Sequence, residues 1–267
     1  MKVTDKILII TPFRNEEHSI PHYLKSLLAI NYPKNLIDVY WLENDSTDKT
    51  SSMLKSAKNK MPFNSTTLES VNILGPLKKK RAGSYYKDLD NKQKGRGAWL
   101  VIWNKYFLPL IKEVKHEYVL FWYADAVPPP NVIAEYMKVF KKRPSAGWRG
   151  DVGWVGGRMH RRFPRHNEFA SPRPIGFGRP RASDKTDTME KAIKAIKNPT
   201  RAEITMHVFM IPRKPLCECK LYYSPIEMHF SIIDGLAEQG LRVYYQPTVY
   251  IKHVSTDGKI WIPEKSK

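Results

Sequence analysis

Cysteine is nearly missing from this 267-residue chain, which carries only Cys217 and Cys219, one residue apart. Two such thiols cannot form a disulfide framework, and without a second pair they cannot complete a four-ligand zinc site. A reducing, cytoplasmic compartment is the expectation. Long apolar runs are also lacking. The N-terminal one is only Ile7–Ile10, far short of the roughly 18 to 20 residues that cross a bilayer. The chain therefore reads as soluble and without a secretory signal. Acidic residues are scarce, 26 against 45 lysines and arginines, leaving a formal net charge of +19. Such an excess draws polyanions, whether nucleic acid, an anionic membrane surface or phosphorylated substrates, and charge alone does not choose among them. Apolar residues, at 42%, are plentiful enough for a substantial core, which excludes a disordered tail or a fibrous repeat.

Over the first 140 residues, short apolar runs alternate with amphipathic stretches, the rhythm of a parallel sheet flanked by helices. Lys6–Thr11 reads as a buried strand. Ile20, Tyr23, Leu24, Leu27 and Leu28 recur at helical spacing after Ser19, a candidate N-cap, with Pro21 close behind. Leu36–Glu43 reads as a second strand, and Ser46 or Thr47 as the cap of a helix carrying Met53, Leu54 and Ala57. A third strand is expected at Val71–Leu74, a helix over Ala98–Ile111 with Trp99 in the core, a strand at Tyr118–Tyr123, and a helical face from Val132 to Phe140. Later elements are a helix near Thr188–Ile196, a strand Ile204–Ile211, a helix Pro225–Glu238 ended by Gly240, and strands Arg242–Tyr245 and Val249–His253. No boundary splits the chain, so it reads as one domain with halves 1–140 and 141–267.

Ligands of open α/β sheets gather beyond the carboxyl ends of the strands. Three polar clusters follow three of the expected strands: Thr11 to Glu17, Glu43 to Thr50, and Ala124-Asp125-Ala126. In order, Pro12, Asn15, Glu16 and Glu17, then Glu43, Asn44, Ser46, Thr47, Asp48 and Thr50, resemble the opening of a GT-A fold glycosyltransferase, near the family 2 group and the mannan-polymerase-type enzymes. The resemblance implies a Rossmann-like, mostly parallel sheet flanked by helices, a nucleotide-sugar donor with uridine as the expected nucleotide, and Mn²⁺ or Mg²⁺. It places Pro12, Arg14, Glu16, Glu43 and Asn44 at the donor, with Arg96 approaching from a helix. Family members often have Asp where this chain has Asn44.

The family's Asp-x-Asp metal motif is represented by Tyr123-Ala124-Asp125, so the first carboxylate is missing and Asp125 alone remains to meet a hard divalent ion. His253, after an apolar strand, stands where relatives place a histidine at the metal or diphosphate; a structural histidine is the alternative. Glu227 resembles the family's acidic pair, with Met228 in the second place, and is the candidate general base; a carboxylate favoured by a helix N-terminus is its alternative.

Two basic segments, 76–97 and 143–182, are read as irregular insertions, the second with Trp and Phe among its arginines. Arginine interleaved with aromatics suits phosphate neutralisation and base stacking. A hydroxymethylated base in DNA is therefore the expected acceptor. A surface polysaccharide or lipid-linked glycan is the alternative, as is a nucleic-acid-binding module that kept the fold without catalysis.

Overall fold

The computed structural model describes residues 4–73, 99–141, 151–159, 173–174, 197–205, 207–220 and 229–261. Its strands are β1 (Ile7–Phe13), β2 (Ile37–Asn44), β3 (Ser65–Val71), β4 (Tyr118–Trp122), β5 (Ala126–Val127), β6 (Val152–Met159), β7 (Arg173–Pro174), β8 (Thr200–Ile204), β9 (Val208–Pro212), β10 (Arg242–Val254) and β11 (Ile260–Trp261). The helices are α1 (Ile20–Leu28), α2 (Thr50–Lys58), α3 (Leu108–Glu113), α4 (Val132–Lys141), α5 (Arg213–Glu218) and α6 (His229–Glu238). A π-helical turn, Trp103–Phe107, leads into α3.

The sheet runs in the order β3-β2-β1-β4-β9-β6-β10-β8-β7, with β5 and β11 paired to β10. Strands β3, β2, β1 and β4 are parallel neighbours, and β6 and β10 are parallel to each other. Between them β9 runs antiparallel to both β4 and β6, so β10 points the same way as β1. The carboxyl ends of β1, β2, β4 and β10 therefore share one edge.

Burial on both faces explains the unbroken apolar run Ile7–Ile10. Ile7 and Ile9 enter one core layer with Tyr23, Leu27, Trp41 and α4, while Leu8 and Ile10 enter the other with Trp103, Phe107, Trp154 and Phe209. Each fully buried isoleucine contributes roughly 1.5 to 3 kcal/mol. Beneath the carboxyl edge, the Tyr23 hydroxyl lies 2.8 Å from Thr11 Oγ1 and accepts from Trp41 Nε1 at 3.0 Å. Its ring meets Phe13 and Trp122 edge-on. Burial drives the Tyr23 phenol's pKa well above its usual value, so it stays a neutral hydrogen-bonding strut.

Several elements differ from the sequence expectation. Ser19 does not cap α1, because its backbone is already helical and its hydroxyl donates back to the Glu16 carbonyl. Neither Ser46 nor Thr47 caps α2, which starts at Thr50, where the backbone N–H donates to Asp48 Oδ1 at 2.9 Å. The third strand lies earlier, at Ser65–Val71, and is a polar strand at the end of the sheet path with no apolar run to announce it. The run 204–211 divides into β8 and β9 around His207, whose φ of 71° turns the chain. The two strands expected at 242–245 and 249–253 are one strand with an irregularity between them. The segment 143–182, expected to be irregular, contains β6 (Val152–Met159), a strand inside the sheet whose Gly153, Gly156 and Gly157 are closely packed against neighbouring elements and do not mark a loop. The helix expected over 188–196 lies outside the described residues.

Candidate functional site at the carboxyl edge

At the end of β1, Phe13 is in register with Glu43 of β2, which brings the two following turns side by side. Asn15 (φ 54°) and Asp45 (φ 50°) both take the left-handed conformation that Asn and Asp tolerate best among residues with a Cβ. The turns are then joined rung by rung. The Asn15 N–H donates to Ser46 Oγ at 3.1 Å, and Asn15 Oδ1 accepts from the Thr47 N–H at 2.8 Å. The Glu16 N–H donates to Thr50 Oγ1 at 2.7 Å and the Glu17 N–H to Asp48 Oδ2 at 3.1 Å, while Glu17 Oε2 accepts from the Lys49 N–H. Burial alone would raise the pKa of Asp48, but hydrogen bonds from Thr50 and Glu17 outweigh it and hold the carboxyl below its ordinary value. The Ser-Thr-Asp-x-Thr turn is thus a brace for the first loop.

Within this frame Glu43 and Asn44 are buried. Glu43 Oε1 accepts from the Ser46 N–H at 3.0 Å, and Asn44 Nδ2 donates to Asp45 Oδ2 at 3.3 Å. Pro12 is half-buried and Arg14 exposed. The Glu16 carboxylate accepts from Ser19 Oγ at 2.6 Å and lies 3.7 Å from His18 Nε2. These contacts pin the entry to α1.

The second part of the edge is formed by the turn after β4 and the end of β10. Here β5 pairs antiparallel with β10, setting Ala126 opposite His253, and the Val254 N–H donates to the Asp125 carbonyl at 2.8 Å. Asp125 Oδ2 and His253 Nε2, on side chains 128 positions apart, stand 3.0 Å from each other, and both residues are buried. Helix α1 ties this part to the first: Ser26 Oγ donates to the Pro128 carbonyl at 3.2 Å, and His22 Nε2 lies 2.9 Å from the Gly258 carbonyl.

A carboxylate oxygen and an imidazole nitrogen 3.0 Å apart match a hydrogen bond, and they are also close enough that both would reach one small divalent cation. The donor set of one hard oxygen and one imidazole suits Mn²⁺ and is sparse for any cation. Among the described residues no three His, Cys, Asp or Glu side chains cluster to hold a metal. An ion at this pair would take its remaining ligands from phosphate oxygens and water.

Tyr123, at the place of the motif's first acid, directs its hydroxyl to within 3.0 Å of His229 Nε2. Trp99 packs on Tyr123 with ring centroids 5.5 Å apart, and His207 lies on it at 5.4 Å. Trp99 is only partly buried, so it belongs to this aromatic group at the border of the core. The aromatic at position 123 is the sequence signal for the group, but nothing local names its partner 106 positions away. Arg96 and Glu227 lie outside the described residues.

The architecture is similar to that of a mannosyltransferase, PcManGT from Pyrobaculum calidifontis, solved in complex with GDP-Man and Mn²⁺. The two share 17% identity, with a TM-score of 0.57 over 96% of this chain and 59% of that one. TarS (residues 1–349) of S. aureus is also similar, with 14% identity and a TM-score of 0.50 over 92% of this chain and 60% of that one. These likenesses show the GT-A fold, and the chain spans about 60% of the length of the structures it matches. No curated protein matches the sequence. The profile of the Anp1 family matches residues 1–142, more than half of the sequence. With a GT-A sheet, a doubly braced opening motif and this match in hand, the chain belongs to the Anp1 family of mannan-polymerase-type GT-A glycosyltransferases.

Proposed function

We propose that the chain transfers a sugar from a nucleotide-sugar donor to a hydroxyl of a glycan, with Mn²⁺ or Mg²⁺ held by Asp125 and His253. The observation that carries this reading is the 3.0 Å approach of those two side chains at the carboxyl edge, beside the paired turns of β1 and β2. A cation held there would supply the positive charge that a departing nucleoside diphosphate needs. Pro12, Glu43 and Asn44 border the nucleoside, with Arg96 and the exposed Arg14 contributing positive charge. Glu16 serves through the geometry of its loop, since its carboxylate is engaged by Ser19. The acceptor oxygen bonds to the anomeric carbon as the bond from that carbon to the diphosphate oxygen breaks. Glu227 takes the hydroxyl proton, and the configuration inverts.

A mannosyl donor with a guanosine nucleotide takes precedence over the uridine nucleotide expected from sequence. Support comes from the Anp1 family and from PcManGT, a protein of the same fold that holds GDP-Man with Mn²⁺. The same family favours a glycan over hydroxymethylated DNA as acceptor. What supports DNA is the net charge of +19 and the arginines interleaved with aromatics in the sequence; segment 76–97 and most of 143–182 lie outside the described residues.

The test incubates the protein with GDP-mannose and a panel of UDP-sugars, offering manno-oligosaccharides and hydroxymethylated DNA side by side. Mn²⁺-dependent release of nucleoside diphosphate, with a hexose mass gained by the oligosaccharide, is expected. Transfer to DNA alone overturns the glycan acceptor. Tight DNA binding with no turnover of any donor favours the non-catalytic module.

A further inference from the structure

Strand β10 changes register against β6 part-way along. Tyr245 is opposite Gly156 and Tyr250 is opposite Arg158, so five steps on β10 accompany two on β6 and three residues are surplus. Side chains of a strand alternate between faces, so an odd surplus inverts the pleat. The core shows the inversion. Val243 and Tyr245 enter the layer of Trp154 and Phe209, whereas the equally odd-numbered Ile251 enters the opposite layer with Ile9 and Val155. His253, two residues beyond Ile251, shares its face and meets Asp125 there. With an unbroken register His253 would point through the sheet to the other side.

The surplus segment is held from one place. Glu135 of α4 is buried, and its Oε2 accepts from Thr248 Oγ1 at 2.7 Å and from Gln246 Nε2 at 3.2 Å. Gln246 Nε2 also donates to the Glu135 backbone carbonyl at 3.1 Å. Lys138 pairs with the remaining carboxylate oxygen, which offsets the cost of burying the charge. On the β6 side, Gly157 makes room for the segment, since a Cβ there would lie 2.6 Å from Val249 Cγ1 and 2.7 Å from the Val249 carbonyl oxygen.

We propose that Glu135 is a positioning residue for the metal pair: by clamping Gln246 and Thr248 it fixes the inverted pleat that delivers His253 to Asp125. The inference rests on the metal-holding role given to Asp125 and His253 under the proposed function. Glu135 engages Gln246, Thr248 and Lys138, so its effect on His253 travels along the strand.

The experiment measures Mn²⁺ retention by electron paramagnetic resonance on the full chain, with GDP or UDP present, for wild type, Glu135→Ala, His253→Ala and the double variant. Each single substitution is expected to weaken Mn²⁺ binding by about tenfold or more. The double variant is expected to be no weaker than His253→Ala by more than about twofold, because both changes remove one contribution. If Glu135→Ala does not fold, Thr248→Val removes a single rung of the clamp and is measured in its place, with a loss of about threefold or more expected. Wild-type Mn²⁺ affinity in Glu135→Ala, or in Thr248→Val when it stands in, overturns the positioning role and leaves the metal pair intact; so does a multiplicative loss in the double variant. Unchanged affinity in His253→Ala, or no retention by wild type with either nucleotide, overturns the metal pair and the positioning role together.

Discussion

The hydroxyl of Tyr123 and Nε2 of His229 stand 3.0 Å apart, on the side of the sheet where Trp154 and Phe209 pack. The residue in the place of a metal-binding acid therefore belongs to an aromatic cluster, and its polar tip is satisfied by an imidazole. Tyr123→Phe is expected to lower stability by about 1 kcal/mol through the lost hydrogen bond and to leave Mn²⁺ affinity unchanged. Urea unfolding read beside a Mn²⁺ titration checks both halves. A large drop in metal affinity would return position 123 to the ion's surroundings.

Asp125→Asn keeps the shape of the side chain and removes the charge that faces His253. Mn²⁺-dependent release of nucleoside diphosphate is expected to fall by about a hundredfold or more, since a hard divalent ion depends on a carboxylate. Circular dichroism should show the fold retained. Turnover within a few-fold of wild type would remove Asp125 from the metal site.

At the opposite end of the sheet, Asp38 accepts from Asn64 Nδ2 at 2.7 Å and from Ser65, and lies 2.7 Å from His116 Nε2. Burial alone would raise its pKa, but these hydrogen bonds together with the His116 charge outweigh it and hold the value below 3.8. A depressed carboxyl pKa stabilises the fold above the unfolded value, and that stability is lost as the pH falls through the folded one. The urea midpoint of Asp38→Asn should therefore lie below wild type at pH 7, and the gap should close below about pH 4. A gap that persists unchanged at pH 2.5 would contradict this.

Gly157→Ala places a methyl group 2.6 Å from Val249 Cγ1 and 2.7 Å from its carbonyl oxygen. The backbone atom cannot swing aside as a side-chain tip can, so overpacking should cost about 1 to 3 kcal/mol. Thermal unfolding measures the cost. A variant as stable as wild type would mean that β10 shifts freely at this point.

Legibility in the sequence followed the strength of local pattern. The run Ile7–Ile10 and the spacing of Ile20, Tyr23 and Leu27 announce β1 and α1, because burial on two faces and on one stripe leaves distinct periodicities. The polar edge strand Ser65–Val71 leaves none. Gln246-Pro247-Thr248 looks like a break between two strands, since proline is tolerated inside a strand only at an edge or a bulge; the bulge is what the structure contains. Of the candidate site, the position of the residues after β1, β2 and β4 at one sheet edge is legible from their place at strand ends. Asp125 and His253, each singled out by the resemblance, stand 3.0 Å apart, and their separation of 128 positions leaves no local trace of that contact. Glu135 resembles any exposed helix carboxylate in the sequence, and only the packing of α4 on β10 shows that it is buried.

The lattice of hydrogen bonds between the loops after β1 and β2 has a bearing on molecular selectivity. Asn15 with Ser46 and Thr47, and Glu16 with Thr50, settle each other's geometry through bonds internal to the chain. A visitor bound at that ledge would meet a mould that is already set, and discrimination there would come from shape complementarity to a stiff surface, with little room for the wall to adapt to a wrong guest.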